Sequence, residues 1–330
     1  RFIIDNKDFN STTGANSYSE MRSRLGIKYV PTDNFTAFFQ VQDSRLFGSE
    51  PTTTTHFRNL DLHQAYFRID ELFDFPVQLK AGRMEAPYGT ERIMSKNNWN
   101  NVGRSFDGAA LQFDLSGIKT KLDVFAYRLG ESGNLDDSLD ENVMGAFAEL
   151  SLLHGHKIQP FIVYYSSSAP SYPYNVYNIG MYITGSIEDF SHTAELISQS
   201  GDERNNGPKS LNAYFAGYNA AYKFGGSLKP SLSAGVEYYS GDDDLNDNEY
   251  TEFRRLFGAG HKYFGYMDYF TKTTYGVGIT DIHIKGAFMP VKKLKVKTAY
   301  HIFNSSEDYV LSDNSTSKSY GSEFDLVFNY

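Results

Sequence analysis

The chain has 330 residues, no cysteine and a formal net charge of −9. The missing thiols exclude disulfide staples and thiolate metal sites, and the acidic balance argues against nucleic acid as a partner. No run of eighteen apolar residues occurs, which excludes a membrane-crossing helix. A mean hydropathy of −0.46 suggests a soluble protein, but strands that carry an apolar residue at every second position dilute that index. Aromatic residues make up 16% of the chain, nearly all Tyr and Phe, which suits strands and the interfacial girdles of membrane barrels.

The alternation predicts sixteen strands, at 1–5, 17–30, 35–48, 58–70, 77–89, 106–116, 118–129, 141–153, 158–167, 176–187, 190–201, 210–224, 230–241, 277–290, 294–306 and 317–330. Tight connections with turn chemistry, such as Pro31-Thr32-Asp33-Asn34, Gly117, His154-Gly155-His156-Lys157 and Glu188-Asp189, join one end of these strands. Longer polar connections join the other end, at 6–16, 49–57, 90–105, 130–140, 168–175, 202–209, 242–276 and 307–316. The two kinds alternate along the whole chain, as they do in an outer-membrane barrel with short periplasmic turns and long extracellular loops. That predicts one domain over 1–330: an all-β, antiparallel, up-and-down transmembrane β-barrel in the bacterial outer membrane. It also puts both chain ends on the periplasmic side.

The expected outward face is apolar and uncharged: Phe35, Ala37, Phe39 and Val41; Ala109, Leu111, Phe113 and Leu115; Tyr177, Ile179, Met181 and Ile183; Leu232, Ala234, Val236 and Tyr238; Leu326, Phe328 and Tyr330. Such a face meets the lipid bilayer and lipopolysaccharide. The opposite face is polar. Its basic candidates are Arg22, Arg24, Lys28, Arg68, Lys80, Arg83, Lys119, Lys121, Lys223, Lys285, Lys295 and Lys297. Its acidic candidates are Glu20, Asp114, Asp123, Glu149, Glu195, Glu237, Asp281, Glu323 and Asp325. The slight basic excess predicts a mildly cationic lumen that favours anions, because low-dielectric walls focus the field. Mutual pairing of these charges, which would stiffen the wall, is the competing reading.

The remaining negative charge collects in loops, as in Asp242-Asp243-Asp244-Leu245-Asn246-Asp247-Asn248-Glu249. That stretch lacks the spacing of an EF-hand, so a solvated loop is the expected reading. The eight His are scattered, and no GxSxG, HExxH or phosphate-binding loop occurs. No enzyme activity, cofactor or metal site is expected. Two functions of different class follow: a passive channel for polar or anionic solutes, or a plugged barrel serving as a structural or interaction protein in an envelope complex.

Several segments resemble the alginate-export family of outer-membrane barrels. They are Arg24-Leu25-Gly26-Ile27-Lys28-Tyr29, Phe39-Gln40-Val41-Gln42-Asp43-Ser44-Arg45, Asp61-Leu62-His63-Gln64-Ala65-Tyr66, Gly82-Arg83 followed by Tyr88-Gly89-Thr90-Glu91-Arg92, Trp99 to Gly108, and Tyr263 to Phe270. The resemblance implies an 18-stranded monomeric barrel that passes an anionic polysaccharide through an arginine-rich lumen; whether a periplasmic or envelope partner joins it is left open by the sequence. It adds Arg92 and Arg104 to Arg83 as guanidinium partners for carboxylates. The expected solute path therefore comprises Arg22, Arg24, Arg68, Lys80, Arg83, Arg92, Arg104, Lys119, Lys121 and Lys285, with the loops 90–105 and 242–276 folding over or into the lumen. Sixteen strands against the implied eighteen leave the end of the chain as either truncated or closing with sixteen.

Overall fold

The structure is a computed structural model that describes residues 1–6, 12–50, 52, 59–130, 140–168, 175–203, 209–244, 246–270 and 276–330. Each predicted strand is present: β1 (Phe2–Asp5), β2 (Asn16–Thr32), β3 (Phe35–Leu46), β4 (Leu60–Ile69), β5 (Val77–Met84), β6 (Phe106–Leu115), β7 (Thr120–Gly130), β8 (Glu141–Leu150), β9 (His156–Ser167), β10 (Asn175–Ile187), β11 (Phe190–Glu203), β12 (Lys209–Lys223), β13 (Ser231–Tyr239), β15 (Ile279–Val291), β16 (Leu294–Val310) and β17 (Thr316–Asn329). The short β14 (Glu249–Tyr250) lies within the predicted loop 242–276 and pairs in parallel with Ser210 and Leu211 of β12. All other ladders are antiparallel and join neighbours in chain order, with β13 passing directly to β15.

The wall is inside-out relative to a soluble sandwich. Along β10, Val176 and Asn178 are buried, whereas Tyr177 and Ile179 are 44% and 58% exposed. Leu232, Val236, Leu326 and Phe328 are also exposed, while Glu195, Gln199, Glu237, Asp281, His283, Glu323 and Asp325 are buried. Exposed large apolar side chains on one face and buried polar ones on the other define a sheet whose outer solvent is lipid. Among the described residues no helix is long and apolar enough to cross a membrane.

Three local departures from the predicted pattern matter. β5 ends at Met84, not at residue 89, because the Glu85 N–H donates to the Gln64 side-chain oxygen at 3.2 Å and Pro87 has no N–H to resume a ladder; the chain turns inward there. In β4 a register shift between Gln40 and Val41 leaves His63 unpaired in the ladder and turns it into the interior, 3% exposed. β1 pairs Phe2 with Ser19, and Arg1 bonds Glu20 high on β2. The N-terminal residue therefore stands beside the lumen contents, not at the periplasmic rim expected from loop parity.

Candidate pore and its inner segments

Two long connections enter the barrel. The first runs from Glu85 to Ser105, between β5 and β6. Its near side is held by β2, β3 and β4. Arg24 donates to Glu85 at 2.9 Å, to Gln42 at 2.6 Å and to Asn98 at 2.9 Å. Arg22 donates to the Asn100 and Asn98 carbonyls at 2.9 and 3.1 Å. Gln42 and Ser44 donate to the Val102 and Asn101 carbonyls at 2.6 and 2.8 Å. His63 Nε2 lies 2.9 Å from Glu85 Oε1. Burial alone would push the Glu85 carboxyl up, but hydrogen bonds from His63 and Asn98 and the Arg24 charge hold it below its ordinary value.

The same segment reaches strands far around the wall. Arg92, 5% exposed, donates Nε to Glu195 of β11 at 2.7 Å and both terminal nitrogens to Glu237 of β13, at 3.1 and 2.9 Å. Its guanidinium also bonds the Tyr239 hydroxyl and lies 4.0 Å from the Phe215 ring and 3.8 Å from the Tyr263 ring. Thr90 donates to Glu195 at 2.7 Å. One segment thus touches β2, β3, β4, β11 and β13, which requires the sheet to curl around it.

The second segment lies between β13 and β15. Its backbone is stitched to the first by Phe257 N–H to Ile93 C=O (3.1 Å), Ser95 N–H to Phe257 C=O (3.1 Å) and Ala259 N–H to Glu91 C=O (3.0 Å). Gly258 makes that approach possible: a Cβ there would stand 2.0 Å from the Arg92 carbonyl oxygen. Gln199 of β11 pairs with the Arg254 backbone in both directions at 2.7 Å, and Met267 N–H donates to Glu323 of β17 at 2.8 Å. Trp99 of the first segment stacks on His261 of the second at 3.4 Å between centroids, and Asp268 accepts from the Trp99 indole at 3.1 Å and bonds His261 Nδ1 at 2.6 Å. Met94, Phe264, Ile93, Phe253, Phe106 and Phe270 are buried in the resulting apolar core.

Two cavities border these segments. One, of about 200 Å³, is lined by Lys262, Lys285, Lys297, His261, His301, Tyr266 and Asp325 among others. The other, of about 230 Å³, is lined by Arg92, Lys262, Glu195, Glu237, Asn219 and Tyr263. Lys262 stands in both walls, its ammonium 2.8 Å from the Thr90 carbonyl and 3.8 Å from Glu91.

The structure sorts the expected path residues into groups. Arg22, Arg24, Arg92 and Arg104 all bind the inner segments, Arg104 through the carbonyl of Phe257. Arg68 pairs with Asp70 at 2.9 Å, and Lys80 sits 4.1 Å from the Tyr66 ring centroid. Lys121 is opposite Asp114 and Glu149 on the inner face, near the short turns. Lys285 lines the first cavity. Two expectations are corrected. Arg83 is opposite Asp107, in register with the outward Ala81 and Ala109, so it lies on the outer face, where it pairs with Asp107 at 2.6 Å. Lys119 is an exposed left-handed turn residue (φ 52°) outside β7, because the strand starts two residues later than the alternation suggested.

Residue types alone did not single out Glu85, Lys262, His261 or His63. The one available signal was the break of alternation at Leu62-His63-Gln64, where two consecutive polar residues precede an outward one.

An all-β, inside-out, up-and-down wall around inward loops defines a bacterial outer-membrane barrel. The chain belongs to the alginate export family, whose model matches residues 3–330. Solved structures agree on the fold. OccAB4 of Acinetobacter baumannii superposes with a TM-score of 0.63 at 12% identity, over 100% of this chain and 85% of that one. OpdK of Pseudomonas aeruginosa, solved with vanillate, gives 0.58 at 11% identity over 99% and 85%. The outer-membrane channel DcaP of Acinetobacter baumannii gives 0.54 at 12% over 100% and 92%. No curated protein matches the sequence significantly.

Proposed function

We propose that this channel passes small anionic or polar solutes past the two inner segments, with lysines rather than arginines setting its preference. What carries the reading is how the cations are spent. Arg24 and Arg92 are already paired with Glu85, Glu195 and Glu237. Lys285 and Lys297 share a cavity wall with Lys262 and Asp325, and among the described residues neither Lys285 nor Lys297 forms a salt bridge. The cavities beside the inner segments, about 200 and 230 Å³, have room for a small solute. The similar OpdK, solved with vanillate, offers a precedent for a small carboxylate.

The test is a planar-bilayer reversal potential in a salt gradient. The unaltered protein should prefer the anion. Replacing Lys285→Glu and Lys297→Glu together should lower the anion-to-cation permeability ratio by at least about tenfold, since the pair changes the local charge by four units, a unit charge is worth about 1 kcal/mol at close range in water, and about 1.4 kcal/mol is a factor of ten. Cation preference in the unaltered protein, or no shift in the variant, would refute the proposal.

A second reading rests on the apolar core between the inner segments, built on Met94, Phe253, Phe264 and Phe270. Such packing suits a plugged barrel that serves as a structural or interaction protein. It predicts membrane insertion without conductance, so the same recording separates the two.

A further inference from the structure

We infer that Asp281, His283 and His301 form a divalent-metal site of the zinc class in the inner wall of the barrel, with solvent from the adjoining cavity completing the coordination. The group borders the cavity that the channel reading gives to solute, but it does not rest on that reading: metal binding to the purified chain is measured without any solute flux.

The backbone register builds the group. His283 of β15 is directly opposite His301 of β16, so both rings share the inner face, and Asp281 lies two residues along β15 on that same face. All three are buried. His283 Nδ1 lies 2.9 Å from Asp281 Oδ2, and His301 Nδ1 lies 3.0 and 2.9 Å from the two carboxylate oxygens. One donor atom from each residue falls within a 4.8 Å span. A zinc ion bound at about 2.0–2.1 Å to each donor needs them within about 4 Å of one another. Small side-chain rotations suffice.

Three further observations favour a cation there. First, the Asp281 carboxylate is 0% exposed, yet among the described residues its only ion-pair partners are the two histidines. A buried charge is normally paired or coordinates a metal. Second, as the amide is oriented, His283 donates Nε2–H to Asn219 Oδ1 at 2.9 Å. That bond leaves the Nδ1 lone pair aimed at the carboxylate, which is the arrangement of a metal-ligating histidine fixed by its outer partner. Gly235 makes room for this contact, since a Cβ there would lie 2.3 Å from Asn219 Oδ1 and 2.6 Å from His283 Nε2. Third, His301 borders the cavity of about 200 Å³, which gives an entry path and room for a water ligand. Two imidazole nitrogens and one carboxylate select zinc or a neighbouring transition metal over calcium or magnesium.

The experiment uses the full chain, purified in detergent, stripped with a chelator and titrated with Zn²⁺, and with Co²⁺ as the spectroscopic probe. One equivalent should bind. Asp281→Asn, His283→Gln and His301→Gln should each weaken binding by at least about tenfold. His156→Gln should leave it unchanged, because that ring meets His192, 3.2 Å away, elsewhere on the wall. Circular dichroism and the heat-dependent gel shift verify that each variant folds. Should a variant not fold, Co²⁺ in the unaltered protein still decides, through contact-shifted imidazole N–H resonances from two histidines. Absence of stoichiometric binding, survival of binding in both histidine variants, or a Co²⁺ spectrum without imidazole signals would overturn the site and leave a group held together by protons alone.

Discussion

Arg92 shows how a single residue fixes the lumen contents. Its planar fork matches the Glu237 carboxylate with two bonds and reaches Glu195 with a third. Arg92→Ala would leave two buried carboxylates without their partner, a loss of about 3–5 kcal/mol. A urea unfolding series should show the fall, and bilayer recordings should become larger and noisier as the segment loosens. Arg92→Lys should recover little, because an ammonium cannot reproduce the forked geometry. Glu85 makes the near anchorage pH-dependent. Its folded pKa lies below the unfolded value of about 4.3. Its contribution is therefore fully present above that pH and is lost as pH falls through the lower folded value. The urea midpoint of the unaltered protein should drop more steeply in that window than that of Glu85→Gln; parallel curves would show that Glu85 contributes no such anchorage.

At the scale of elements, the two inner segments behave as one body because their backbones touch. Gly258→Val would force a side chain against the Arg92 carbonyl, separating the Ile93–Phe257 and Ser95–Phe257 hydrogen bonds. The expected outcome is a folded barrel with raised single-channel conductance; an unchanged conductance would mean that the constriction lies elsewhere. The strands themselves were legible from period two, and the register confirms outward Tyr177-Ile179 and Leu232-Val236. Arg83 was misread because a cation in an alternating strand looked like a lumen residue. Its partner Asp107, across the ladder from it, explains how the outer face tolerates the charge.

For the whole molecule, the test of the inside-out wall is a charge placed outward at mid-membrane. Ile179→Arg should cost about 2–4 kcal/mol, whereas a similar cation near the rim should cost about 0–1. Folding into vesicles at graded urea would measure the difference; equal costs would argue against lipid contact at Ile179. Sequence by itself determined the sixteen long wall strands, the alternation of short and long connections and the apolar outward stripes such as Tyr177-Ile179, because side-chain alternation and turn chemistry are local properties of the chain; it missed the short β14 and the outward Arg83. It did name the two connections that enter the lumen. Only tertiary structure decided what the inner charges do. Whether Arg92 faces a solute or Glu237 depends on residues 145 positions apart meeting across the barrel, and whether His301 is isolated or shares a carboxylate with His283 depends on ladder register. Those meetings are set by the curl of the sheet around its own loops, which no local pattern records.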